Sequence, residues 1–175
     1  MLSHIFFTRA EIWSIWYTMR MYATEGIVLK KLDVGEHDTL YSVYTKDYGK
    51  LRALARGIRK EEAKLRGHLE LLSLSSVRFV MGRNGEKLIG ATLLCFYERM
   101  RLQDHTLRLG AYMARRVDEE CFPGERDPAL WDLMREHFAA LDRQDFSREQ
   151  ETDFLRAFDT GLSACLGHGA GGDES

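Results

Sequence analysis

Residues 50–57 read Lys50-Leu51-Arg52-Ala53-Leu54-Ala55-Arg56-Gly57, and their chemistry alternates with a period of two. Successive side chains of a β-strand point to opposite faces, so this pattern predicts a strand. Its apolar residues would face a core, and its other face would carry three cations: Lys50, Arg52 and Arg56. These cations can bind a polyanion, or they can form a solvated face that merely prevents aggregation.

The residues around this strand continue its positive charge. Segment 46–66 holds eight basic and three acidic residues, a local net charge of +5, whereas segment 118–159 holds thirteen acids and five arginines, a local net charge of −8. The whole chain of 175 residues has a net charge of only −2. Because charges act within a Debye length of about 10 Å, the basic segment can still attract a polyanion. Its loop adds four further candidate phosphate contacts: Arg59, Lys60, Lys64 and Arg66.

Five strand-like segments with short connections occupy residues 21–98. They are residues 22–31, 38–45, 50–57, 68–81 and 87–97. Gly49 ends a tight connection, and Asn84-Gly85 is typical of a hairpin turn. Between Ser73 and Ser76 the apolar residues change from one face of the strand to the other, which indicates a bend or bulge. Five strands in this length predict a small barrel, for which an OB-fold and an SH3-like barrel both have the right count.

From residue 99 the apolar period changes to about 3.6, which predicts three helices. The first ends at Phe122-Pro123-Gly124, and the second begins with Asp127 as N-cap and Pro128 in the first turn. The third begins at a capping box, residues 147–150, and ends at Gly167. The predicted fold class is therefore α+β, with an OB-fold barrel at 21–98, a small all-α domain at 99–167 and a disordered glycine-rich tail at 168–175.

Residues 1–20 precede the strand pattern and are rich in aromatic residues. Their longest apolar run, Ile5-Phe6-Phe7, is too short to span a membrane, and a signal peptide's basic region is missing. Two interpretations fit this extension. It is a short interfacial or docking helix, or it is a mis-assigned start and the natural chain begins at Met21.

The sequence holds no pattern that indicates an active site. Its six histidines are scattered, and it has no H-E-x-x-H motif, no phosphate-binding P-loop and no G-x-G-x-x-G fingerprint. Cys95, Cys121 and Cys165 are far apart, which predicts buried thiols in a reducing compartment and neither a disulfide framework nor a metal site. We therefore expect no catalytic residue, no cofactor and no metal.

Three adjacent polar residues and three tyrosines allow other interpretations. Glu36, His37 and Asp38 could form a catalytic cluster, but consecutive side chains diverge, so turn chemistry explains them better. Three tyrosines near the basic strand could stack on bases or pack across strands: Tyr41, Tyr44 and Tyr48.

Several blocks of the first half resemble the RecO family of bacterial recombination-repair proteins. They are residues 22–30 (YATEGIVLK), 35–38 (GEHD), 44–60 (YTKDYGKLRALARGIRK), 66–71 (RGHLEL) and 88–91 (LIGA). The resemblance is specific because the blocks occur in order at matching spacing. It implies an OB-fold followed by helices, with DNA contacts first at Lys50, Arg52 and Arg56 and then at Arg59 and Lys60.

The resemblance also implies a non-enzymatic recombination mediator in the bacterial cytoplasm, associated with the nucleoid. Such a protein binds single- and double-stranded DNA, anneals complementary strands and helps to load recombinase with its partner RecR. The single-strand-binding protein is a further possible partner, and no membrane is involved. The chain departs from the family in a shortened second half without the cysteine zinc module of many relatives. The alternative function is an OB-fold adaptor that binds proteins and has no significant DNA affinity.

Overall fold

The structure is a computed structural model that describes residues 21–59, 66–82, 85–143, 146 and 148–167. The predictions for residues 1–20, for Lys60 and Lys64, for Ser147 and for the tail 168–175 lie outside these residues. For Arg66, Arg148 and Glu149 the structure describes the backbone alone.

Five strands among the described residues form a closed barrel with the strand order β1-β2-β3-β5-β4. They are β1 Met21–Val34, β2 Asp38–Thr45, β3 Gly49–Ala55, β4 Leu74–Gly82 and β5 Gly85–Cys95. The first three strands form an antiparallel meander, β4 and β5 form a hairpin that pairs with β1, and a short parallel contact between β3 and β5 closes the barrel. The predicted α+β class with an OB-type barrel is confirmed.

The barrel interior is filled by the apolar face that the period-two pattern predicted. Leu51, Ala53 and Ala55 are buried there, against the inward side chains of the other strands. The complete cluster contains Val28, Tyr41, Val43, Leu51, Ala53, Ala55, Ile58, Leu69, Val77, Phe79, Leu88 and Ala91.

The long strand predicted over residues 68–81 is wrong at its beginning. Residues 66–68 form a 3₁₀-helix, Leu72 has a φ of 62°, and β4 begins only at Leu74. The hydroxyls of Ser73 and Ser75 donate to the carbonyl oxygens of Glu70 and His68, at 2.6 and 2.7 Å. Such local hydrogen bonds compete with strand pairing, which explains why a turn replaces the first part of this segment.

Within the part of the chain that the structure describes, four helices follow the barrel, where three were predicted. They are α1 Glu98–Leu102, α2 Asp104–Glu120, α3 Pro128–Arg143 and α4 Arg148–Cys165. The additional break lies at Gln103, whose extended backbone separates α1 from α2. The predicted N-cap is confirmed, because Oδ1 of Asp127 accepts hydrogen bonds from the N–H groups of Ala129 and Leu130.

The helices pack on the outside of the barrel. A second apolar cluster joins Ile27, Leu29 and Tyr44 of β1 and β2 to the inward faces of the helices, including Met113 and Phe138. The predicted division into a domain at 21–98 and another at 99–167 stays a prediction. The helices therefore cover part of the outer barrel surface, whereas Arg52 and Arg56 are exposed.

Candidate nucleic-acid interface

The outer surface of β1, β2 and β3 carries two exposed cations in one row across the sheet. Lys30 pairs with Ser42, and Ser42 pairs with Arg52, so the three side chains lie next to one another. The side chain of Lys30 is 60% exposed, and Arg52 is also exposed. Because neighbouring strands are about 4.8 Å apart, the backbones of the two cationic residues lie roughly 10 Å from each other.

Lys30 reaches this row because β1 contains a bulge. The register with β2 shifts between Val28 and Lys30, which inserts one extra residue, Leu29. Val28 points into the barrel, and plain alternation would therefore direct Lys30 inward as well. The bulge reverses that parity and brings the ammonium group to the surface.

Arg56 extends the cationic surface beyond the end of β3. It is exposed, as Arg52 is, and neither guanidinium has an ion pair or hydrogen bond with any residue that the structure describes. Their positive charges are therefore available to a ligand. We call Lys30, Arg52 and Arg56 the outer cationic face.

Lys50 does not belong to this surface, and the predicted row of three exposed cations is wrong in this respect. Lys50 is only 6% exposed, and its Nζ donates a hydrogen bond of 2.6 Å to the carbonyl oxygen of Asp118. The last carbonyl groups of a helix lack partners within the helix, and a cation there interacts favourably with the helix dipole. Lys50 thus stabilises the end of α2.

The four cations predicted in the loop after β3 differ in what the structure describes of them. Arg59 is exposed, but its Nη1 lies 3.3 Å from Oδ2 of Asp33 and donates to the carbonyl oxygen of Gly35 at 3.5 Å. An exposed ion pair of this kind is weak, so Arg59 can exchange Asp33 for another anion. Lys60 and Lys64 lie outside the described residues, and the side chain of Arg66 is not described.

Arg115 of α2 is a cation that the sequence pattern did not single out. It lines a cavity of about 250 Å³ between β1 and α2, together with Lys30. Two acids lie in the same cavity, Asp118 and Glu119. The carboxylate of Asp118 is held by the hydroxyl of Ser42 at 2.5 Å and lies 4.0 Å from Nζ of Lys30, so it limits the positive field on this side.

Two of the three tyrosines near the basic strand are inaccessible to a ligand. Tyr41 is 4% exposed and Tyr44 is 1% exposed, and both pack in apolar clusters. Burial is the main reason that the pKa of Tyr41 is raised to about 12 and that the pKa of Tyr44 is also raised. Tyr48 alone is partly exposed, in contact with the rings of Tyr22 and Phe79.

Other kinds of site are not found among the described residues. No group of three or more His, Cys, Asp or Glu side chains is arranged there to hold a metal ion. None of the helices in the described ranges has the length and apolar character needed to cross a membrane.

Comparison with known proteins shows which family this barrel resembles. Residues 19–94 match the family model described as Recombination protein O N terminal. Residues 19–94 are therefore similar to the N-terminal part of the RecO family. The match contains the whole outer cationic face, so the predicted resemblance is confirmed for the part of the chain on which it was based.

Individual RecO proteins extend the similarity into the helices. The DNA repair protein RecO of Trichodesmium erythraeum is 29% identical over 150 residues, which are 86% of this chain and 50% of that protein. The RecO proteins of Gloeothece citriformis and Gloeobacter violaceus are each 30% identical, over 71% and 70% of this chain and 44% and 47% of those proteins. The chain therefore spans half or less of the length of these relatives.

Proposed function

We propose that this chain is a DNA-binding recombination mediator that acts in recombinational DNA repair and makes or breaks no covalent bond. The family of the barrel supports the repair role, and the relatives are named DNA repair proteins. The observation that carries the DNA-binding part is the exposure of Lys30 and Arg52 in one cross-strand row, with Arg56 beyond them.

The outer cationic face suits phosphates better than bases. Its groups are flexible cations on an open surface, and contacts of this kind position a nucleic acid without reading its sequence. The proposed ligands are therefore both single- and double-stranded DNA. Phosphates on two strands that are neutralised by the same surface repel each other less, which allows complementary strands to pair. The proposed promotion of annealing is therefore an electrostatic effect.

The proposed partners follow from the family and not from any surface feature alone. We propose that the chain works with RecR in loading recombinase, in the bacterial cytoplasm and near the nucleoid. We also propose contact with the single-strand-binding protein.

A strand-annealing assay tests this function. Two complementary oligonucleotides labelled with a donor and an acceptor dye would be mixed with the wild-type protein and with the Arg52→Ala/Arg56→Ala variant. We expect the wild type to accelerate annealing and the double variant to lose most of that acceleration. Arg156→Ala is the matched control, because Arg156 is an exposed arginine on α4 in the acidic half. Equal annealing by both arginine variants would contradict the proposal.

A second function, that of a protein-binding adaptor, is favoured by an apolar row beside the cations. Leu32 pairs with Leu40, and Leu40 pairs with Leu54, so the three leucines lie side by side on the outer surface. Leu32 is 54% exposed. The adaptor function predicts that purified RecR is retained by the wild type and not by Leu32→Ser, while DNA affinity at low salt is negligible for both proteins.

A further inference from the structure

A cavity of about 300 Å³ opens to solvent at one end of the barrel, next to β3. Three aromatic rings form much of its wall: Tyr22, Tyr48 and Phe79. Tyr22 and Phe79 are direct neighbours on β1 and β4, and their rings stack with centroids 5.2 Å apart and planes inclined by 18°. The ring of Tyr48 meets both at 5.4 Å, edge to face. We call this the barrel-end cavity.

The ring cluster is fixed in place but not closed to solvent. Phe79 is only 2% exposed and anchors the cluster in the barrel core, whereas Tyr22 and Tyr48 are partly exposed. Mutual ring contacts of this kind restrict both tyrosines. The cavity thus offers a preformed aromatic wall, and the surface of a planar ring is the feature that every nucleobase shares.

Two carboxylates give the cavity a polar side. Asp47 and Glu86 both line it. The hydroxyl of Thr24 donates a hydrogen bond of 2.8 Å to Oδ2 of Asp47, which orients that carboxylate. A carboxylate accepts hydrogen bonds from amino groups, such as N4 of cytosine. Phosphates would be repelled from these two carboxylates, so this side of the cavity favours a base and not the backbone.

Cations beside the cavity are placed to contact the DNA backbone. Lys46 and Arg126 are exposed next to Asp47, and Nε of Arg126 donates to the carbonyl oxygen of Lys46 at 3.2 Å. On the other side, Lys50 lines the cavity, but its ammonium group is held by the carbonyl oxygen of Asp118. The exposed Arg52 follows two residues later on β3, roughly 6.6 Å further on. A phosphate held by Arg52 would therefore leave an adjacent base within reach of the cavity.

We propose that the barrel-end cavity binds one unstacked nucleobase of single-stranded DNA, with a preference for bases that carry an exocyclic amino group. The inference rests on the proposed DNA-binding function and adds a subsite specific for single strands. A base within a duplex is paired and stacked, and it cannot enter. Double-stranded DNA would then use the outer cationic face alone.

The test compares Tyr48→Ala with Tyr48→Phe in the full chain. We expect Tyr48→Ala to weaken binding of an oligo(dC) single strand roughly five- to a hundredfold, which is the usual range for the loss of one stacked base, and to leave duplex binding unchanged. Tyr48→Phe keeps the ring and should bind as the wild type does. Urea unfolding of both variants shows whether the barrel is intact, and Tyr22→Ala serves instead if Tyr48→Ala does not fold.

Two further readouts distinguish base entry from other effects. A single 2-aminopurine within an oligo(dT) strand should lose fluorescence on binding to the wild type and not on binding to Tyr48→Ala, because stacking quenches this base. Oligo(dC) should bind more tightly than oligo(dT), and Asp47→Ala should remove that difference.

The outcomes separate this inference from the proposed function. If single strands and duplexes bind but Tyr48→Ala changes neither affinity nor 2-aminopurine fluorescence, the base subsite is wrong and the cationic interface stands. If the wild type binds neither form of DNA at low salt, the proposed function itself fails.

Discussion

The ammonium group of Lys50 lies 2.6 Å from the main-chain carbonyl oxygen of Asp118, in the last turn of α2. The chain that follows α2 also contacts the barrel, because the N–H of Gly124 donates a hydrogen bond to the carbonyl oxygen of Lys50. The cation at position 50 therefore joins the barrel to the helices, whereas Arg52, two residues later on the same strand face, is exposed.

This relationship predicts opposite effects for two matched substitutions on β3. Lys50→Met keeps the apolar stem but leaves the Asp118 carbonyl without its charged donor, so the free energy of unfolding should fall by about 1.5–3 kcal/mol. DNA affinity should not change. Arg52→Met should leave stability within about 0.5 kcal/mol and weaken DNA binding. Urea unfolding and fluorescence anisotropy measure the two quantities, and a loss of DNA affinity in Lys50→Met without a loss of stability would contradict this assignment.

Gly49, at the start of β3, should be intolerant of any side chain. Its φ is 63°, and a Cβ atom there would lie 2.0 Å from the carbonyl oxygen of Glu125. Gly35 is the control, because it has the same φ and nothing within 4 Å of its Cβ position. Both alanine variants should lose about 1 kcal/mol for the left-handed backbone, and only Gly49→Ala should lose substantially more. Equal thermal stability of the two variants would show that the contact with Glu125 is unimportant.

Lys30 should contribute to DNA binding, and its neighbour Lys31 should not. Lys31 is half-buried, and its Nζ lies 2.9 Å from Oε2 of Glu70, whereas the side chain of Lys30 is 60% exposed. Lys30→Ala should therefore lower the affinity for single-stranded DNA and reduce its salt dependence by the contribution of about one phosphate, with Lys31→Ala close to the wild type. A larger loss in Lys31→Ala would mean that the bulge in β1 does not select the cation that contacts DNA.

Stability should decrease at alkaline pH because buried acids keep their protons in the folded state. Burial raises the pKa of Cys121 from 9.0 to about 11 and the pKa values of Tyr41 and Tyr97 from 10.0 to about 12. Above about pH 9 the unfolded chain therefore loses protons that the folded chain retains, and the free energy of unfolding falls. Urea midpoints measured between pH 8 and about 12 should decrease steadily.

Tyr41→Phe identifies one part of that alkaline decrease. The variant should lose less stability than the wild type between about pH 10 and 12, because the phenol with the raised pKa is gone. The same pH dependence in both proteins would contradict burial of a neutral phenol at this position.

The local pattern of the sequence determined the elements of the fold more reliably than it determined which charges are exposed. The alternation in residues 50–57 predicted the buried face of β3, because parity along a regular strand is a local property. The same pattern could not show that helix α2 would end above Lys50, since that contact joins residues 68 positions apart.

Two other differences between the predicted and the observed structure have local causes that the alternation of side chains along a strand does not reveal. Lys30 was overlooked because a bulge at Leu29 reverses the direction of its side chain. Residues 68–73 contain apolar residues typical of a strand, but serine hydroxyls and the left-handed Leu72 form a turn there. The barrel-end cavity requires the pairing of Tyr22 with Phe79 across β1 and β4, which only the closed barrel establishes.

The salt dependence of single-stranded DNA binding tests whether the outer cationic face holds the DNA backbone. The equilibrium constant of the wild type and of Arg52→Ala/Arg56→Ala would be measured between about 50 and 200 mM salt, with Arg156→Ala as control. Each phosphate contact on a single strand contributes about 0.7 to the slope of log K against log salt, so the double variant should have a slope smaller by about 1.4. An unchanged slope in the double variant would show that the outer cationic face does not hold the DNA backbone.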